Sequence, residues 1–128
     1  MNSLMRLVLV TIMMIAAAPA YSATAMQMWK CEIDDDVSEA DVKADAAKWL
    51  AAAKKLKGGE GLEAYVYFPV AVNAMGEMDA MFVVTTPSFE EWGKFWDAYG
   101  GSEAAKLDAE NDKVVCPDSV VWESFKVK

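Results

Sequence analysis

An α+β fold, one four-stranded antiparallel sheet carrying two helices on one face in the order β-α-β-β-α-β, is what this sequence predicts. Two kinds of pattern carry the prediction. Four segments alternate apolar and other side chains with a period of two, and two segments repeat bulky residues every three or four positions. Each helical stretch opens on a Ser followed three residues later by an acid and closes on Gly-Gly, which are start and stop signals independent of the periodicity.

Met26 to Ile33 is the first strand, with Trp29, Cys31 and Ile33 on one face and Met28, Lys30 and Glu32 on the other. Asp34, Asp35 and Asp36 end it. Ser38 and Asp41 form a capping box, after which Val42, Ala46, Trp49, Leu50, Ala53 and Leu56 recur at helical spacing up to Gly58-Gly59. Leu62 to Asn73 is the second strand; Ala64, Val66, Phe68, Val70 and Val72 share one face, and Tyr65, Tyr67, Pro69, Ala71 and Asn73 the other. Pro69 has no N–H to give a ladder, so this strand belongs at a sheet edge.

A turn at Asn73 to Glu77 leads into the third strand, Met78 to Thr86, with Ala80, Phe82 and Val84 on one face and Met81 and Val83 on the other. Pro87 holds Thr86 extended, and Ser88 with Glu91 opens a second helix in which Phe89, Trp92, Phe95, Trp96 and Tyr99 form an aromatic stripe. Gly100-Gly101 stops it. Ser102 to Glu110 offers two further helical turns, and Val120 to Val127 is the fourth strand. The order is ferredoxin-like, the split β-α-β pattern, in which the strands lie 4-1-3-2 across the sheet. The second strand is then at an edge, as Pro69 requires, and the end of the first lies beside the start of the last.

The 128 residues hold two cysteines, no histidine, and 12 basic against 20 acidic side chains, for a net charge of −8. A surface of that sign repels phosphate backbones and anionic lipids, so neither nucleic acid nor a membrane surface is an expected partner. Without histidine, a Ser-His-Asp triad, His-ligated haem and His-based zinc sites are excluded. Residues 1 to 25 read as a secretory signal peptide: a start with the single positive charge of Arg6, an apolar run from Leu7 to Ala18, and small residues ending Ala23-Thr24-Ala25. The run is shorter than the roughly 20 residues that span a bilayer. Cleavage is expected after Ala25, with Ala18-Pro19-Ala20 as a second site, leaving residues 26 to 128 as one exported domain, periplasmic or secreted. Its net charge is more negative still, since Arg6 is lost. In an oxidising compartment two cysteines allow one pairing, Cys31 with Cys116, and the predicted topology brings both near the same end of the sheet.

Two helices cover only one face of such a sheet, yet Tyr65, Tyr67, Met81 and Val83 lie on the other. The simplest cover is a second copy of the same sheet, giving a homodimer with a barrel-like core. With these elements in place the chain resembles the dimeric α/β-barrel superfamily, in particular its antibiotic-biosynthesis-monooxygenase-like and NIPSNAP-like domains. The resemblance spans the whole domain as an order of elements and is most specific over TTPSFEEWGKFWDAYGGSEAAKL, Thr85 to Leu107. It implies a homodimer. The superfamily includes cofactor-independent oxygenases, haem enzymes, isomerases and small-molecule binders, so it leaves the function open between classes.

The cleft that the resemblance implies lies between sheet and helices or inside the barrel, where some of Tyr65, Tyr67, Asn73, Trp92 and Trp96 can meet. Tyr65, Tyr67, Trp92 and Trp96 are the candidate ligand-binding residues, for a small apolar or aromatic molecule; the bland alternative makes the tryptophans core and the tyrosines dimer interface. For the enzyme alternative, a cofactor-independent monooxygenase or isomerase, Asn73 would donate to an oxyanion and Tyr67 relay a proton. Glu123, alternating with Val121, Phe125 and Val127, becomes a candidate general base if its face is buried, and an ordinary edge residue beside a partner such as Lys30 if it is not. Glu32, Asp34, Asp35, Asp36 and Glu39 lack the glycine and ligand spacing of an EF-hand loop and read as a solvated strand-to-helix connection. No metal and no cofactor is expected.

Overall fold

The computed structural model describes residues 23 to 70 and 79 to 127. Strands β1 (Thr24–Ile33), β2 (Glu63–Tyr67), β3 (Ala80–Thr86) and β4 (Val114–Ser124) form one antiparallel sheet in the order β2-β3-β1-β4. Helices α1 (Glu39–Ala53), α2 (Phe89–Tyr99) and the short α3 (Glu103–Glu110) complete the fold. This is the expected ferredoxin-like arrangement, with the third helix in the stretch that offered two extra turns.

Each helix starts where its cap says. Ser38 Oγ accepts from the Asp41 N–H while the Asp41 carboxylate accepts from the Ser38 N–H, a closed capping box. Ser88 and Ser102 cap α2 and α3 by accepting from the N–H groups of Glu91 and Ala105. Gly58 does more than stop α1. Its φ is +84°, and a Cβ there would stand 2.4 Å from the carbonyl oxygen of Glu91 and 2.7 Å from the Phe95 nitrogen. The glycine therefore lets the turn after α1 lie directly on the backbone of α2.

Between helices and sheet, Trp49, Ala52, Ala53, Leu62, Val84, Phe95 and Ala104 form the buried core. Phe95 is fully buried and meets Trp49 and Trp96 edge-on, at centroid distances of 6.2 and 5.0 Å.

Several strand boundaries differ from the sequence reading: β1 begins two residues early, at Thr24, β4 ends at Ser124 rather than Val127, and two larger differences have a physical cause. β2 ends at Tyr67, before Pro69, because a residue without an N–H ends even an edge ladder; Val70 is fully exposed. Residues 71 to 78, with Asn73 and the expected turn, lie outside the described residues. β4 begins six residues before the expected Val120, because a bulge absorbs Pro117. The pairing of β1 with β4 shifts between Lys30 and Glu32, so that Cys116 and Pro117 both stand opposite Cys31. There the Cys31–Cys116 disulfide, 85 residues apart in sequence, staples the end of β1 to the start of β4. The bond marks a protein that matures in an oxidising environment. Among the described residues no helix is long and apolar enough to cross a membrane.

Candidate functional site

Strand registry separates two very different faces. Ala25, Gln27, Trp29 and Cys31 of β1 share the helix side with Ala80, Phe82 and Val84 of β3 and with Ala64 and Val66 of β2. On the open side, Tyr65, Val83, Met28 and Val120 stand opposite one another in a single apolar row across all four strands. Outer rows flank it: Tyr67, Met81, Lys30 and Asp118 on one side, Glu63, Thr85, Met26 and Trp122 on the other.

A cleft of about 720 Å³ opens on the helix side. Trp29 and Phe82 rise from the sheet, Trp49 comes from α1, and Trp92, Trp96 and Tyr99 come from α2. All of these rings but Trp92 form one contact network, with Trp29 6.1 Å from Trp96, Trp29 5.8 Å from Phe82, Trp49 5.3 Å from Phe82 and Trp96 4.7 Å from Tyr99. The disulfide closes one end, both cysteines lining the cleft.

Two hydrogen-bond chains fix these walls. Trp92 Nε1 donates to Gln27 Oε1 at 3.0 Å, and Gln27 Nε2 donates to Ser119 Oγ at 3.2 Å, tying α2 to both β1 and β4. Trp49 Nε1 donates to the Tyr99 hydroxyl at 3.1 Å, and that hydroxyl donates to Asp108 Oδ2 at 3.3 Å, linking α1, α2 and α3. Burial pushes the Tyr99 phenol up to about 12, against the opposing pull of the Trp49 N–H, with the Asp108 carboxylate adding to the rise. Tyr99 therefore stays protonated at neutral pH and acts as a donor.

Around the mouth stand Asp45, Lys48, Asp108, Glu110, Asp112 and Lys113. Lys113 pairs with Asp36 at 2.8 Å and holds its carboxyl below the usual range. Lys48 pairs with Asp45 at 3.0 Å.

The candidate residues divide between the two faces. Trp92 and Trp96 line the cleft and also pack on the sheet, so the core and ligand readings of these rings describe one wall. Tyr65 and Tyr67 stack on each other at 6.2 Å on the open face, across the sheet from those tryptophans, so the four do not share one pocket. Tyr65 donates to Glu63 at 2.6 Å, and that carboxylate raises its phenol above the ordinary value. Glu123 is exposed and stands opposite Ala25, not beside Lys30, which faces Asp118. Sequence reasoning missed Gln27 and the Trp49–Tyr99–Asp108 chain. A glutamine between Ala25 and Trp29 on a buried strand face was the available signal.

Neither a family model nor a curated protein sequence matches the chain. Among solved structures, hydroxynitrile lyase from Passiflora edulis is similar over 84% of this chain and 98% of its own, with a TM-score of 0.55 and 9% identity. A variant of chlorite dismutase from Candidatus Nitrospira defluvii is similar over 84% of this chain, with a TM-score of 0.44 and 13% identity. The chain spans 42% of that enzyme's length. At such identities the likeness to the lyase shows the fold alone, a ferredoxin-like α+β domain. Among the described residues no group of three or more His, Cys, Asp or Glu is placed to hold a metal ion.

Proposed function

We propose that the protein is exported, dimerises through the open face of its sheet, and binds a small aromatic molecule in the cleft beneath its helices. The observation that carries the binding reading is the cleft itself: about 720 Å³, walled by six aromatic rings from four elements. That is the size and lining of a small-molecule site. The indole N–H groups of Trp49 and Trp92 are already engaged within the protein, so these walls are held in place before any ligand arrives.

The polar groups of the cleft are held within the protein: the Tyr99 hydroxyl is protonated at neutral pH and donates to Asp108, and both lysines at the mouth are paired with carboxylates.

Dimerisation is supported by the open face. Its apolar central row, with exposed Tyr65 and Val120 at the ends and buried Val83 between them, and with its charges at the margins, on Lys30, Asp118 and Glu63 in the flanking rows and Glu32 beyond them, has the anatomy of an interface.

Ala46 of α1 lines the cleft and is partly exposed, so Ala46→Phe fills the space without disturbing the core. Equilibrium binding of a panel of small aromatics is expected to give saturable affinity in the natural protein and none in Ala46→Phe. Equal binding by both proteins would remove the cleft as the site.

A further inference from the structure

We propose that the cleft selects an organic cation of aromatic size, an amine or quaternary ammonium, over neutral or anionic molecules of the same shape. The inference rests on the reading of the cleft as a ligand site and adds the charge of what enters.

Two independent features agree on that charge. The first is the wall. Trp29, Trp49, Trp96, Phe82 and Tyr99 crowd together at centroid distances of 4.7 to 6.4 Å. Aromatic faces carry negative potential and attract a cation that has shed its water, and tryptophan does so best.

The second feature is the mouth. Four carboxylates line it, Asp45, Asp108, Glu110 and Asp112, against two ammonium groups, Lys48 and Lys113. Both lysines are already neutralised, by Asp45 at 3.0 Å and by Asp36 at 2.8 Å. An entering anion meets carboxylates and no lysine without an acidic partner among the lining residues. A cation meets Asp108, Glu110 and Asp112 on its way to the rings. The chain's net charge of −8 draws cations toward the molecule at long range.

The test is calorimetric titration of the disulfide-bonded protein with three probes of one shape and different charge: benzyltrimethylammonium, its neutral carbon isostere neopentylbenzene, and phenylacetate. Benzyltrimethylammonium is expected to bind about tenfold more tightly than the hydrocarbon, and the advantage is expected to shrink as salt is raised. The exposed-site double variant Glu110→Gln/Asp112→Asn is expected to lose several-fold affinity for the ammonium and none for the hydrocarbon. Equal affinity for ammonium and hydrocarbon, or tighter binding of phenylacetate, would overturn the charge selection while leaving the cleft a ligand site. Failure of all three probes to bind would overturn both readings together.

Discussion

Breaking the Cys31–Cys116 bond is expected to lower stability by an amount set by the loop it closes. The cysteines are 85 residues apart, and the entropy of closing a loop of that length corresponds to about 4.5 kcal/mol at 25 °C. For a domain of about a hundred residues the unfolding entropy is roughly 0.2 kcal/mol/K, so the loss corresponds to a fall in Tm of roughly 20 °C, less whatever strain the bond carries. The place of the bond adds a local effect. It fastens β4, an edge strand whose residues are mostly exposed, at the bulge where Pro117 interrupts the ladder. Without it the start of β4 is held by ladder bonds on one side only, and one end of the cleft loses its closure. The assay is thermal unfolding followed by far-ultraviolet circular dichroism, comparing the oxidised protein with the Cys31→Ala/Cys116→Ala variant. A fall of less than about 5 °C would refute the loop-closure reasoning.

Four further outcomes follow from particular residues. Gly58→Ala is expected to cost at least about 2 kcal/mol in chemical denaturation, because the new methyl meets the α2 backbone and the residue keeps a positive φ; a cost below about 0.5 kcal/mol would show that the turn shifts freely. Tyr99 should form tyrosinate only as the pH climbs toward about 12, since its pKa is raised from 10.0 to about 12; its proton is bound more tightly folded than unfolded, so its stabilising contribution is present below pH 10 and lost as the pH climbs through about 12. Tyr99→Phe should remove that part of the alkaline loss, and an unchanged alkaline profile would contradict it. Charges placed on the open face by Val120→Lys/Trp122→Lys, both exposed positions, are expected to halve the mass seen by sedimentation while leaving the far-ultraviolet spectrum alone; a wild-type monomer would end the dimer proposal. The mature chain is expected to start at Met26, after Ala25, and an intact mass after export that starts at Tyr21 would show use of the second site, Ala18-Pro19-Ala20, which keeps Ala25 paired with Thr86 and Glu123.

Most of the fold could be read from local signals. Capping serines 38 and 88 and the alternation of β1 and β3 are properties of neighbouring residues, and they placed the helix starts and the strand faces well. Pro69 and Pro117 show the limit of such reading. Both are ladder breakers in sequence, and Pro69 indeed follows the end of β2, yet β4 runs past Pro117 because a bulge opposite Cys31 takes it out of register. A bulge is a relation between two strands, which one segment does not encode. The candidate site was legible to a similar degree. The aromatic stripe of α2 supplied Trp92 and Trp96, but their partners Gln27, Trp49 and Asp108 come from β1, α1 and α3, and only the packed fold brings them together. The alternation of β2 put Tyr65 and Tyr67 on the open face, where they lie, and that same placement keeps them out of the cleft that the tryptophans line.

The five tryptophans divide between the two faces: Trp29, Trp49, Trp92 and Trp96 line the cleft, while Trp122 lies in an outer row of the open face. Their indole N–H signals in a proton–nitrogen correlation spectrum therefore report the cleft and the sheet face separately within one sample. Titrated with benzyltrimethylammonium at constant protein concentration, the four cleft indoles are predicted to shift together and saturate while Trp122 stays in place. Movement of Trp122 with the other four unchanged would contradict the central claim and put binding on the open face.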